Sequence, residues 1–146
     1  MKVAVVTPSI GQDTLTQCLL SIQKQEYDNI VHYVFIDGYE HKENVINQMA
    51  LKTGSGALKP FEDQKVPIKT VTLEENVGKG WYGHRVYSAC SFLVNADAIC
   101  YLDEDNWFEP DHVKRLVEKL NNGNQWAYSL RKIYNQEGRS KNKSSL

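Results

Sequence analysis

The strongest constraint on this chain lies near its start, where Val3-Ala4-Val5-Val6 is apolar at successive positions before Thr7 and Pro8. A strand with water on one face alternates apolar and polar side chains, whereas an unbroken run marks a strand buried on both. Residues 2–7 are therefore read as a buried strand stopped by Pro8. Similar β-branched runs recur at residues 30–36, about 66–73 and 99–102, with a final strand expected over 125–134. Helical spacings lie between them. Leu15, Cys18, Leu19 and Ile22 follow Asp13 as N-cap, and a weaker helix over residues 44–51 carries Val45, Ile46 and Met49. A third helix over residues 80–95 is expected to bury Tyr82, Val86, Cys90 and Leu93. Glu109-Pro110 opens the last, with Val113, Leu116, Val117 and Leu120 as its stripe and Gly123 closing it. Residues 52–65 read as a loop. Strand and helix in this rhythm specify an α/β fold, a mostly parallel sheet flanked by helices on both faces. One domain is expected over residues 1–137, followed by a polar, basic, disordered tail at 138–146.

At 146 residues the chain has room for one core. Its 17 basic residues are balanced by 18 acidic ones, which excludes nucleic-acid binding by bulk electrostatics. Cys18, Cys90 and Cys100 have no C-x-x-C spacing, so they read as small buried hydrophobes in a reducing compartment rather than a disulfide framework or zinc site. No apolar run approaches the roughly 20 residues of a membrane span. The first residues are too short and too weakly charged for a signal peptide, so a cytoplasmic location is expected. The histidines lack H-x-x-x-H spacing, and the absence of G-x-S-x-G and P-loop motifs counts against hydrolase and NTPase chemistry.

Parallel sheets hold ligands beyond the carboxyl ends of their strands, which gathers Pro8-Ser9, Asp37, the loop through Asn76 and Gly78, and Asp103-Glu104-Asp105 into one site. Three consecutive acids repel one another unless a cation or donor compensates them. Asp103 and Asp105 project to the same side and supply hard oxygens suited to Mn²⁺ or Mg²⁺. The same run also fits a solvated acidic turn before the next helix. Asp37 can accept from a base or from ribose hydroxyls, or serve as an ordinary turn residue before Gly38. Gly78, Gly80 and Gly83 form a literal G-x-G-x-x-G, on which alone a nicotinamide-dependent oxidoreductase would rest. Glu74-Glu75-Asn76 separate it from the preceding strand, so a Gly-rich loop that leads Arg85 toward phosphate oxygens is the better reading. Trp81 and Trp107 suit stacking on a sugar or base, and equally core or rim packing.

In this order, Val5-Val6-Thr7-Pro8-Ser9, Asp37-Gly38, Asn76-Val77-Gly78 before a helix bearing Arg85, and Tyr101-Leu102-Asp103-Glu104-Asp105 resemble glycosyltransferase family 2, of the GT-A fold, over residues 2–130. The resemblance implies a Rossmann-like sheet, a nucleotide-diphosphate sugar donor (a UDP-hexose, UDP-glucose first) and a divalent metal at a DxD motif. By position, Pro8 and Ser9 would line the nucleotide pocket, with Asn76, Gly78 and Glu104 also on the nucleotide sugar. Asp37 would contact the base, and Arg85 the base or phosphates. Asp103 would face ribose and diphosphate, with Asp105 as the direct metal ligand. The acceptor, a glycan, lipid or protein hydroxyl, is not named by the residues. Family members are usually longer, with the acceptor half and catalytic base beyond the stretch matching residues 126–134. Glu137 is the one acid left there as candidate base. A non-catalytic nucleotide-sugar-binding module, or a remnant lacking the acceptor half, is the alternative. A homodimer is a candidate assembly.

Overall fold

A computed structural model describes residues 1–52, 58–59, 64–80, 82–130 and 132–134. In chain order these form β1 (Val3–Ser9), α1 (Leu15–Gln23), β2 (Ile30–Ile36), a single 3-10 turn (Tyr39–His41) and α2 (Lys42–Met49). Then come β3 (Leu51–Lys52), β4 (Leu58–Lys59), β5 (Ile68–Thr72), α3 (His84–Leu93), β6 (Ala98–Tyr101) and α4 (His112–Asn121). Four strands make the main sheet in the order β5-β2-β1-β6, and every pairing in it is parallel. Val3 to Ser9 align with Ile30 to Ile36, and Val3 to Val6 with Ala98 to Tyr101. The continuous apolar runs occupy the centre: β1 and β2 are almost wholly buried, while the edge strands β5 and β6 are partly exposed. β3 and β4 pair antiparallel; β3 begins at Leu51, the last residue of the expected second helix, and the rest of the pair lies in the segment expected to be loop.

Side chains alternating along the strands separate two apolar layers. On one face Val3, Val5 and Ile30 meet Cys18 and Ile22 of α1 and Val113 and Val117 of α4. Val34 and Ile36 meet Leu15 and Leu19 of α1 and Val45 of α2 on that side. On the opposite face Ala4, Val6, Tyr33 and Phe35 meet Val86 and Cys90 of α3. Helices therefore cover both faces, as the alternation of elements requires.

Several local expectations need correction. β1 does not stop at Pro8 but runs through it. Ser9 O accepts from Asp37 N, so odd-numbered backbone groups face β2, while Val6 O accepts from Leu102 N, so even-numbered ones face β6. The missing Pro8 N–H thus points past Tyr101, the last β6 residue paired with β1, and no ladder bond is lost. Asp13 is not the cap of α1: Thr14 holds that place, and Asp13 Oδ1 accepts from Gln48 Nε2 at 3.1 Å, tying α1 to α2. Because α3 begins only at His84, Tyr82 precedes it and is 89% exposed; at its far end Leu93 is 57% exposed. The described residues among 125–134 do not form the expected strand; Tyr134 alone makes an isolated bridge. Trp126 and Tyr128 alternate as a strand would, but they stack on each other at 5.6 Å instead of meeting a sheet edge. The expected tail at 138–146 lies outside the described residues.

Candidate functional site

Parallel strands bring all four carboxyl ends of the sheet to one rim. Strand order reverses at β1, with β2 and β5 successive on one side and β6 on the other. The crevice at such a switch point is where open α/β sheets receive ligands. Pro8 and Ser9 end β1, Asp37 follows β2, Asn76 and Gly78 follow β5, Arg85 is in the first turn of α3, and Asp103, Glu104 and Asp105 follow β6. The sequence-predicted site residues that are described therefore share this rim. Glu137 lies outside the described residues.

Buried and exposed acids behave differently here. Glu104, 7% exposed, turns into the β1–α1 loop: its Oε2 accepts from Ser9 Oγ at 2.6 Å and from Gly11 N and Gln12 N at 3.2 Å, and its Oε1 from Ile10 N at 3.2 Å. Successive amides around one carboxylate form an anion nest. Glu104 was expected on the nucleotide sugar; its oxygens are engaged in holding the loop that bears Ser9. Asp37, 4% exposed, accepts from Val77 N at 2.8 Å and Gly78 N at 2.9 Å, and so draws the β5–α3 loop over the end of β2.

Glycines let these loops close. A Cβ on Gly78 would overlap Asp37 Oδ2 and lie 3.3 Å from Gly83 Cα. Gly83, at φ +74°, sits against Pro8, where a Cβ would lie 3.2 Å from the ring. Asp37, Gly78, Gly83 and Pro8 thus form a contact line across the rim. Asn76 Oδ1 accepts from Lys79 N at 2.8 Å, and its Nδ2 is 3.2 Å from His41 Nε2. Arg85 Nη1 donates to Val77 O at 3.4 Å. Residues 73–83 separate β5 from α3, so the three glycines do not make the tight strand-to-helix turn of a dinucleotide fingerprint.

In the acidic run after β6 the exposed members are Asp103 and Asp105. Asp103 Oδ1 accepts from Tyr87 OH at 2.6 Å and its Oδ2 from Asn106 Nδ2 at 3.2 Å. Sequence reading missed Tyr87, because its helical stripe was drawn through Val86 and Cys90; the spacing Gly83, Tyr87, Cys90 carries the signal. Burial, and then Asp103, push the Tyr87 hydroxyl far above its ordinary range, so it stays protonated and donates. Two exposed carboxylates provide hard oxygens, and among the described residues no three His, Cys, Asp or Glu side chains converge. Such a donor set fits a divalent cation that completes its shell with water and substrate oxygens, and does not fit a cage built by protein alone.

Beneath the rim, His32 Nε2 is 2.9 Å from Thr7 Oγ1, and Thr7 Oγ1 is 3.8 Å from Cys18 Sγ. Burial lowers the His32 pKa to about 3 and raises that of Cys18 to about 12, so both are neutral core groups rather than base and nucleophile. No helix among the described residues is long and apolar enough to cross a membrane.

Comparison with known proteins agrees with this geometry. An N-acetylglucosaminyltransferase of Rhizobium leguminosarum bv. phaseoli is 31% identical over 121 residues, covering 81% of this chain and 25% of that protein. The crystal structure of S. aureus TarS superposes with a TM-score of 0.60 at 17% identity, over 84% of this chain and 20% of that one, which supports the shared α/β fold. The chain spans a quarter or less of each. The family described as Glycosyl transferase family 2 matches residues 4–146, almost the whole length, and the chain belongs to that family.

Proposed function

We propose that this chain carries the donor site of a glycosyltransferase, binding a nucleotide-diphosphate sugar with Mn²⁺ or Mg²⁺ for transfer to an acceptor hydroxyl of a glycan, lipid or protein. The observation that carries this reading is the pair of exposed carboxylates, Asp103 and Asp105, at the switch-point end of the sheet in a chain of this family. A divalent cation held there supplies positive charge where the sugar–diphosphate bond breaks and negative charge gathers on the leaving group. The chain's own residues do the rest. Asp105 is the direct ligand and Asp103 faces the ribose and diphosphate. Pro8 and Ser9 wall the nucleotide, Asp37 turns its remaining acceptor capacity toward the base, and Arg85 attracts phosphate.

The donor in this reading is a UDP-hexose. UDP-glucose comes first from the family resemblance, and the name of the Rhizobium relative supports UDP-N-acetylglucosamine beside it. Calorimetric titration of UDP and both UDP sugars, with Mn²⁺ and again with EDTA, tests the reading. Metal-dependent binding at micromolar levels is expected, and Asp105→Ala should abolish its metal-dependent part; binding that the variant leaves unchanged would sink the assignment. A second reading is a donor-binding module that transfers nothing unaided, since Glu137 is the one acid in residues 124–146 to serve as base. Donor binding without slow hydrolysis of the bound UDP sugar would select it.

A further inference from the structure

We infer that Tyr87 is a positioning residue of this site, its hydroxyl aiming the Asp103 carboxylate at the cation and diphosphate; the inference rests on the donor-site reading above. An exposed aspartate has two freely rotating side-chain bonds, and holding it in one orientation for a ligand costs entropy at the moment of binding. Here each oxygen of Asp103 has its own donor, and the donors come from different elements: Tyr87 from α3 at 2.6 Å and Asn106 from the loop after β6 at 3.2 Å. Bonds to both oxygens fix the plane of the carboxylate as well as its direction, while the lone pairs left over face solvent.

The brace is itself braced. Tyr87 packs partly buried on the layer formed by Ala4, Val6, Phe35 and Val86, and its ring meets the edge of Tyr101 at 5.1 Å with the planes 72° apart. One turn before Tyr87, at the N-cap of α3, Gly83 is seated against Pro8. The hydroxyl is therefore carried by an element fixed to both the sheet and the β1 end of the rim. Its partner is an exposed carboxylate on the open side, where one hydrogen bond adds little to fold stability. Orientation of a ligand-bearing group is the use such a bond has. Asp105, the neighbouring exposed acid, has no corresponding bond among the described contacts, so the pair consists of one fixed and one adaptable carboxylate.

Tyr87→Phe keeps the ring and its packing and removes one O–H. Mn²⁺ retention by the full chain, read by electron paramagnetic resonance in the presence of UDP, should weaken by about three- to tenfold in Y87F, the worth of one such hydrogen bond. Asn106→Ala should act in the same direction, and the double variant should approach Asp103→Asn. Affinity for uracil, which has no ribose for Asp103 to meet, read by NMR without metal, should stay at the wild-type value, as should the urea midpoint. Mn²⁺ retention unchanged in Y87F, with a wild type that binds, overturns this inference alone. An equal fall in uracil affinity also overturns it, since Tyr87 would then hold the fold and not the carboxylate. Failure of the wild type to retain Mn²⁺ with UDP overturns the donor reading and this inference together.

Discussion

Gly78 shows how little room the site leaves at the scale of one residue. Its constraint is spatial: the Asp37 carboxylate that receives the Val77 and Gly78 amides stands where a Cβ would go. Gly78→Ala should therefore cost about 1–3 kcal/mol, measured as a loss in urea unfolding free energy, because the loop must lift or Asp37 must leave its amides. A neutral effect would mean that the loop relaxes freely and Asp37 does not hold it. At this scale the sequence told much. Asp37, Asp103 and Asp105 stand by the strand ends where they were expected, and Gly78 in the loop expected after the third strand, because strand ends follow from where apolar runs stop. What it did not tell was the division of labour among acids. Three in a row look alike on paper, and only the tertiary approach of residues 9–12 makes Glu104 an internal group while its neighbours face water. Tyr87 was hidden for the same reason, since its partner lies on another element.

Among elements, the β1–α1 loop is the most tightly governed. It is short of capping of its own, for Thr14 makes no side-chain cap bond to α1, and its amides at Ile10, Gly11 and Gln12 are satisfied by Glu104. Glu104→Gln halves the acceptor capacity and removes the charge. Hydrogen exchange at those three amides should quicken by about ten- to a hundredfold, while β1 and α1 keep their protection. Exchange rates equal to the wild type would show that the loop is held by something else. β2 matched its expected bounds because an inner parallel strand is written as an unbroken apolar run. Residues 125–134 misled because an alternating pattern is completed only by an edge to pair with, and pairing is not a local property.

For the molecule as a whole, the same central sheet that builds the rim also sets its acid tolerance. His32 lies in the middle of it, fully buried, with Nδ1 unpartnered among the described residues, so the folded chain refuses a proton that the unfolded chain accepts near the ordinary value of 6.5. A lowered folded pKa means stability fully present above 6.5 and lost as the pH falls toward about 3. Urea unfolding at pH 7.5 and pH 5 should reveal a decline of up to about 1.4 kcal/mol per pH unit, flattened in His32→Leu. An identical slope in that variant would place the acid sensitivity elsewhere. One bond of the rim reaches further than its energy. Glu104 and the loop it holds lie 92 to 95 residues apart in the chain. Any recombination between relatives that crosses over within that interval separates the carboxylate from the amides shaped to receive it. Functional chimaeras of this domain are therefore expected to inherit both ends from one parent, so the first dozen residues and the acidic run behave as a single heritable block despite their distance.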